Sequence, residues 1–442
     1  MSWNVFVIGY DALGKRLMPM LRQADDYAFH PLLSVDEVVH TDEYDIDGLV
    51  DRALNELSRF PHQVDAIISY WDFPTSVLLP LLRRRLGLRG PSLESILQCE
   101  HKYWSRIEQK RVVPDCVPTF QVIDPFDENP VRQVVLNYPF WLKPITAHSS
   151  HLGFRIDDAA TLRNVLPVIR AGIRRYGKPL AQSTAHAEIP RDVATVTGHH
   201  CIAESLISIG RQYTLEGYVQ NGRVHVYGVV DSVRDSHHRS VLSRYVYPSK
   251  LPGSVRERMV ACTRRFVEHI GYDDAPFNIE FFHDRRQDRI WLLEINSRLS
   301  RSHAALFQLV DGAPHFQVMI DVALGLPPRM PRGQGRYRLA AKQMIRVFHE
   351  GRVSRVPTRD ESQQVEACFP GAIFESNVHE GMSLSRLRHQ DSFSYELGVV
   401  FLGANSESAL RNRLRRCQDM LPYEVQRRPN RAAERNTGAE QE

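Results

Sequence analysis

Two short runs carry oxygen ligands in a pattern that can hold a cation. The first is Phe277-Asn278-Ile279-Glu280-Phe281-Phe282; the second is Ile290-Trp291-Leu292-Leu293-Glu294-Ile295-Asn296-Ser297-Arg298. On a strand, side chains point to opposite faces in turn. Asn278, Glu280 and Phe282 therefore share one face, and Phe277, Ile279 and Phe281 the other. In the second run Leu292, Glu294 and Asn296 share a face opposite Trp291, Leu293 and Ile295. The polar stretch His283 to Arg289 suits a hairpin loop, and a loop centred near Gln287 puts Glu280 across from Glu294. Directly opposed like charges destabilise a sheet, so a compensating cation is expected. Carboxylate and amide oxygens without Cys or His suit a hard ion, Mg²⁺ or Mn²⁺. Arg298, two residues beyond Asn296, places a guanidinium fork beside it. The competing reading is an amphipathic hairpin with a polar outer face; two Glu, an Asn and an Arg converging on one face weigh against it.

A second set of residues suits phosphate. Tyr138-Pro139-Phe140-Trp141-Leu142-Lys143-Pro144 reads as a short strand ending in Lys143, followed by the loop Thr146-Ala147-His148-Ser149-Ser150-His151-Leu152-Gly153-Phe154. A lysine at a strand end and a small-residue loop place an ammonium and backbone N–H groups around an anion. His148 and His151 read as surface residues, the alternative being that they sense the phosphates or substrate. Gly9 to Lys15 resembles a P-loop in spacing, but Arg16 stands where a Ser or Thr must reach Mg²⁺. The better reading there is a tight β–α turn that touches a substrate anion at the helix N-terminus.

Glu280 followed by Glu294-Ile295-Asn296-Ser297-Arg298 resembles the metal-binding end of the ATP-grasp fold, a strand Glu followed by E-x-N-x-R. The resemblance implies that Glu280, Glu294 and Asn296 hold Mg²⁺ bridging ATP phosphates. It implies that Arg298 contacts the carboxylate being activated, with Ser300 and His303 on the substrate side. Lys102 and Lys143 match the family's phosphate-binding lysines, and Ser149, Ser150 and Gly153 its phosphate-covering loop, which here is poor in glycine. Glu204, Ser205 and Leu206 take the adenine-binding places between two lobes. Gln212 stands where an acid usually meets the ribose hydroxyls.

These residues need elements to carry them. Val5 to Ile8 and Asp65 to Tyr70 read as strands alternating with helices, and Glu100 to Arg106 as helical. A helix is expected from Asp158 to Arg175, kinked at Pro167, and a strand at His200 to Ile207. Asn221-Gly222 signals a type I′ hairpin between Tyr213–Val219 and Val224–Val230. Asp231 to Tyr247, with His237 and His238, reads as a mobile loop over the substrate. Ser254 and Glu257 form a capping box on a helix stopped by Gly271. Arg83-Arg84-Arg85 reads as a solvated helix face.

The expected class is α/β and α+β: an ATP-grasp fold with a doubly wound, Rossmann-like N-terminal domain (1–97), an ATP-grasp domain (98–330, lid lobe about 117–205), a small C-terminal α+β domain (331–425) and a disordered tail (426–442). A chain of 442 residues, 43% apolar and 24% charged, suits two or three globular domains. A net charge of +4 does not argue for nucleic acid. No apolar run approaches the ~20 residues of a membrane helix, and no signal peptide is evident, so a cytoplasmic location is expected. The six cysteines show no zinc spacing and read as reduced core fillers. The resemblance implies a carboxylate–amine ligase using ATP and Mg²⁺ on small-molecule acids and amines; homodimers are common in the family. A biotin-carboxylase-like enzyme with a separate carrier, and a nucleotide-binding protein without turnover, are the alternatives.

Overall fold

The run Val5-Phe6-Val7-Ile8 is apolar on both faces, which suits a central parallel strand. In the computed structural model, which describes residues 2–147, 151–208, 210–238, 240–387 and 390–427, it forms β1 (Trp3–Ile8). β1 lies parallel to β2 (Tyr27–Leu32) and β3 (Ala66–Ile68), in the order β2-β1-β3. β2 carries no clear sequence signal, because His30 and Pro31 interrupt its apolar run; as an edge strand it tolerates the proline. The helix Thr75–Leu86 follows β3. Arg84 and Arg85 are exposed on it, but Arg83 is not the solvated residue expected: it is buried, and donates from Nε (3.0 Å) and Nη2 (2.6 Å) to the Ile67 carbonyl in the middle of β3. The helix Ala12–Leu17 is capped by Asp11, whose carboxylate accepts from Gly14 N–H and pairs with Arg301. A carboxylate therefore occupies the helix start where a substrate anion was expected.

A second, antiparallel sheet comprises β4 (Phe120–Ile123), β5 (Phe140–Pro144), β6 (Phe154–Ile156) and β7 (Cys201–Ser205), ordered β4-β7-β5-β6. Its far face is covered by the helix Ala159–Gly172, which runs through Pro167 and is followed by a separate helix, Arg174–Ala185, in place of the single kinked helix expected. The helix Lys102–Val112 starts after His101, not at Glu100.

The third sheet is the floor of the molecule. It contains β8 (Arg211–Gln220), β9 (Arg223–Arg234), β10 (Leu242–Tyr247), β11 (Ala275–Asp284), β12 (Arg289–Asn296), β13 (Leu339–Val347), β15 (Ile373–Ser376) and β16 (Tyr395–Ala404), in the order β12-β11-β8-β9-β10-β13-β16-β15. A separate ribbon pairs β14 (Gly351–Arg355) with β17 (Glu424–Arg427). The β8–β9 turn has φ of 51° at Asn221 and 69° at Gly222, as a type I′ turn requires. The expected mobile loop 231–247 is largely strand: β9 runs to Arg234 and β10 resumes at Leu242. His237 and His238 sit exposed in the turn between them, their N–H groups both held by Asp235 Oδ1. The helix Gly253–His269 begins behind Pro252 with no side-chain cap, so the Ser254–Glu257 capping box does not form; Gly271 stops it with φ of 61°. The C-terminal strands β13, β15 and β16 join the floor sheet directly, so no sheet boundary falls at 331. Gln426 and Arg427 lie in β17, and the remainder of the expected tail lies outside the described residues, as do His148, Ser149 and Ser150.

Candidate active site

The floor sheet meets the antiparallel lobe across a cleft of about 350 Å³. β11 and β12 set its centre. Asn278 pairs with Asn296 and Glu280 with Glu294 across the hairpin, as the loop centre near Gln287 requires. One residue further the register slips, and Phe281 faces Leu292. The extra residue is Leu293, so β12 carries a β-bulge there. It reverses the expected faces: Leu292 packs in the apolar core, while Leu293 lines the cleft beside Glu294 and Asn296. The bulge thus puts Leu292 in the core below and the Glu294 and Asn296 side chains in the cleft above.

The helix Lys102–Val112 holds the bulge in place. Arg106 is buried and donates to the Leu292 carbonyl (2.9 Å) and the Leu293 carbonyl (2.7 Å). Its Nε meets Glu204 Oε1 at 2.7 Å, and Lys143 Nζ meets Glu204 Oε2 at 2.8 Å. Burial alone would raise the Glu204 carboxyl, but Arg106 and Lys143 outweigh it and hold it down at about 2. One helical turn before Arg106, Lys102 sends Nζ to the Ala147 carbonyl at 2.5 Å. Burial lowers its pKa, opposed by Glu294.

Gln212 on β8 donates to Glu280 Oε2 at 2.6 Å and accepts from Arg234 on β9. The Glu280 carboxyl is pushed up to about 8, by burial first and by Glu294 next. Asn296 turns its amide nitrogen to Asn278 Oδ1 at 2.8 Å, which points its amide oxygen the other way. Two facing carboxylates and an amide oxygen fit a hard divalent ion; among the described residues no cluster of three His, Cys, Asp or Glu ligands occurs.

Past Asn296, Arg298 is paired with Asp72, which follows β3; its Nε meets Oδ1 at 2.6 Å. Burial would lower its pKa, and Asp72 outweighs that and raises it. His303 Nδ1 lies 2.7 Å from Glu216 Oε1 on β8. Lys342 on β13 is buried and donates to Ser302 Oγ at 2.9 Å. Arg346, four residues along β13, is already balanced by Asp391 (2.9 Å) and Glu396 (2.8 Å). The cleft therefore carries cations at one end, facing carboxylates in the middle, and a mixed polar end closed by the C-terminal strands.

Residues 136–304 match the family model of the ATP-grasp domain. The whole chain is similar to the L-amino acid ligase of Bacillus licheniformis, at 17% identity over 96% of this chain and 99% of that one, with a TM-score of 0.72. It is similar also to the biotin carboxylase domain of the 2-oxoglutarate carboxylase of Hydrogenobacter thermophilus (16% identity, 96% and 91% covered, TM-score 0.62). A third likeness is to the phosphoribosylglycinamide synthetase of Anaerococcus prevotii (12%, 96% and 100%, 0.60). This chain has the ATP-grasp fold. Among curated proteins no match is found.

On that ATP-grasp frame the cleft gathers Lys102, Lys143, Gly153, Glu204, Ser205, Leu206, Gln212, Glu280, Glu294, Asn296, Arg298, Ser300 and His303 along one wall and floor. His151, expected at the surface, lines it too, and burial lowers its pKa. Glu204 turns its carboxylate to two cations rather than outward, and the amide of Gln212 is engaged at both ends. Asp72, Glu216 and Lys342 are among the polar residues for which no motif speaks. Trp141 had a signal: it alternates with Leu142 and shares the cleft face with Lys143.

Proposed function

We propose that the protein is an ATP-dependent carboxylate–amine ligase. It activates a carboxylate as an acyl phosphate and joins it to an amine, releasing ADP and phosphate. The observation that carries this reading is the opposition of Glu280 and Glu294 with Asn296 beside them, in one cleft with Lys102 and Lys143. Trp141 and the 204–208 segment would take the base of ATP. Glu204 is occupied by Arg106 and Lys143, and Ser205 N–H donates to the Thr119 carbonyl at 2.9 Å, so hydrogen bonds to the base would come from the Ser205 carbonyl and the Leu206 backbone. Glu280, Glu294 and Asn296 would hold Mg²⁺, or Mn²⁺, which neutralises phosphate charge when bound.

The chain's own contribution is position and electrostatics, as phosphoryl transfer requires. Lys102 and Lys143 draw the phosphates to the β5 side. Arg298, fixed by Asp72 at Nε and Nη2 and by the Leu299 carbonyl at Nη1, has one further N–H on each terminal nitrogen for the carboxylate oxygens. Ser300 and the C-terminal strands close the far end, keeping water from the acyl phosphate. The substrates are small molecules, an acid and an amine. No helix among the described residues is long and apolar enough to cross a membrane.

The test is ADP and phosphate release from MgATP across a panel of acids and amines, singly and in pairs. Release is expected to need one acid–amine pair and to vanish in Glu294→Gln. Bicarbonate-dependent release without an amine would overturn the ligase reading, as would MgATP binding with no turnover on any pair.

A further inference from the structure

Beneath the polar end of the cleft runs a line of buried polar groups. Tyr227 O–H stands 3.2 Å from His315 Nδ1, and His315 Nε2 stands 2.9 Å from the Ser300 carbonyl. A carbonyl only accepts, so His315 carries its ring proton on Nε2 and takes the tyrosine proton at Nδ1. Ser300 N–H points to Glu216 Oε2 at 3.4 Å, and Glu216 Oε1 meets His303 Nδ1 at 2.7 Å. The line ends at His303 Nε2, which is buried, belongs to a residue lining the cleft, and has no hydrogen-bond partner among the described residues. The ring is held edge-on by Tyr245, centroids 4.7 Å apart. A buried polar atom left unpaired costs about 1–3 kcal/mol and calls for an explanation; at the wall of a ligand cleft, a ligand atom supplies one.

We propose that Glu216 holds His303 in the tautomer that carries its proton on Nε2, and that this N–H donates to an oxygen of the acyl group under activation. The inference rests on the ligase reading for the identity of that oxygen. Four further groups face the ring: Arg298 past the end of β12, Lys342 from β13, Tyr245 from β10 and His315, the residue before the helix Phe316–Ala323. Burial, with His315 and Lys342 next, holds His303 well below its ordinary value, so the ring is neutral. Burial also pushes the Glu216 carboxyl well up, opposed by Arg298. A protonated Glu216 donates its O–H to Nδ1, which leaves the ring proton on Nε2. An ionised Glu216 would take the proton at Nδ1 and turn a bare lone pair toward the anionic oxygens of the substrate. A neutral donor strengthens its bond as negative charge gathers on the acyl oxygen, which is how such donors accelerate acyl transfer. His303 touches substrate; Glu216 acts through it and is a positioning residue.

Two readouts test this. In the ¹⁵N-histidine spectrum of the full chain, with His303→Gln assigning the signal, His303 Nε2 is expected as the protonated nitrogen in wild type and in Glu216→Gln. The glutamine amide can still donate to Nδ1, so Glu216→Gln is expected to turn over close to wild type. Glu216→Ala and His303→Ala are expected to lose about 10²-fold in kcat. A bare Nε2 in the wild-type spectrum overturns the proposal, and so does a folded Glu216→Gln as inactive as Glu216→Ala. If Glu216→Gln does not fold, the wild-type spectrum decides. Absence of turnover in wild type on every acid–amine pair would fell the ligase reading alone, since the tautomer is read without catalysis.

Discussion

A carboxyl group buried beside another is a poor place for negative charge, and Glu280 shows the cost in its value of about 8. The sign of the consequence is fixed by linkage. A group raised from its ordinary 4.5 contributes stability that is whole below 4.5 and is lost as pH rises through about 8. The metal-free protein is therefore expected to lose thermal stability from pH 5 to pH 9, and Glu280→Gln to flatten that fall. Added Mg²⁺ is expected to raise the melting temperature more at pH 8.5 than at pH 6, because both carboxylates are then ready to take it. Parallel falls in wild type and variant would remove Glu280 as the cause. Glu204 runs the other way. With its carboxyl near 2, its contribution is present above 4.5 and lost as pH falls toward 2.

The element that makes the site work is the bulged hairpin, and the helix Lys102–Val112 is its clamp. Arg106 gives three things at once: a charge to Glu204 and two N–H groups to the carbonyls at the bulge. Removing one partner of a buried ion pair costs about 3–5 kcal/mol, so Arg106→Met is expected to destabilise by about 3 kcal/mol in urea unfolding. Arg106→Lys keeps the charge and loses the fork, so it is expected to fall between the two. A lysine variant as stable as wild type would mean the carbonyl contacts contribute nothing. The gap between wild type and Arg106→Met is expected to narrow from pH 5 to pH 3, as the glutamate of the unfolded chain takes up its proton below 4.5 while the paired Glu204, near 2, stays charged. This element also marks the limit of what the sequence reveals. The Glu280–Glu294 pairing is legible because strand alternation and a symmetric loop determine it. The bulge is not, because Leu292 and Leu293 are both apolar and either could face the core. Arg106 sits on the same helix face as Lys102, one turn on, and its spacing was the available signal. Its partners lie 98 and 186 residues away, where no local pattern reaches.

At the scale of the molecule, the cleft is assembled by contacts between distant segments, and these are invisible in any window of sequence. Asp72 and Arg298 are 226 residues apart, and Arg301 joins Asp11 to Glu375. The same long-range logic governs the C-terminal strands. A boundary near 331 is suggested by the proline- and glycine-rich run before it, yet β13 pairs with β10 and continues the floor sheet. One apolar core cluster contains Val5 and Leu13 from the N-terminal unit, Leu306 and Phe307 from the segment after the hairpin, and Met344, Ile373, Val399 and Phe401 from the C-terminal strands. Cutting the chain after Met330 would bare the edge of β10 and strip those last four side chains from the core. At about 1.5–3 kcal/mol for each large buried side chain, the loss is about 6–12 kcal/mol, comparable to the whole stability of a typical protein at about 5–15 kcal/mol. An exposed, apolar β10 edge also invites association between chains. The 1–330 fragment is therefore expected to be insoluble, or to melt without a cooperative transition in calorimetry, although every residue of the E-x-N-x-R motif is present in it. A monomeric fragment with a sharp transition near that of the full chain would show that the strands from 331 onward fold as a unit of their own. In that case the shared sheet would be a docking contact between two domains, and the polar end of the cleft, with Lys342 and Arg346, could open by their separation.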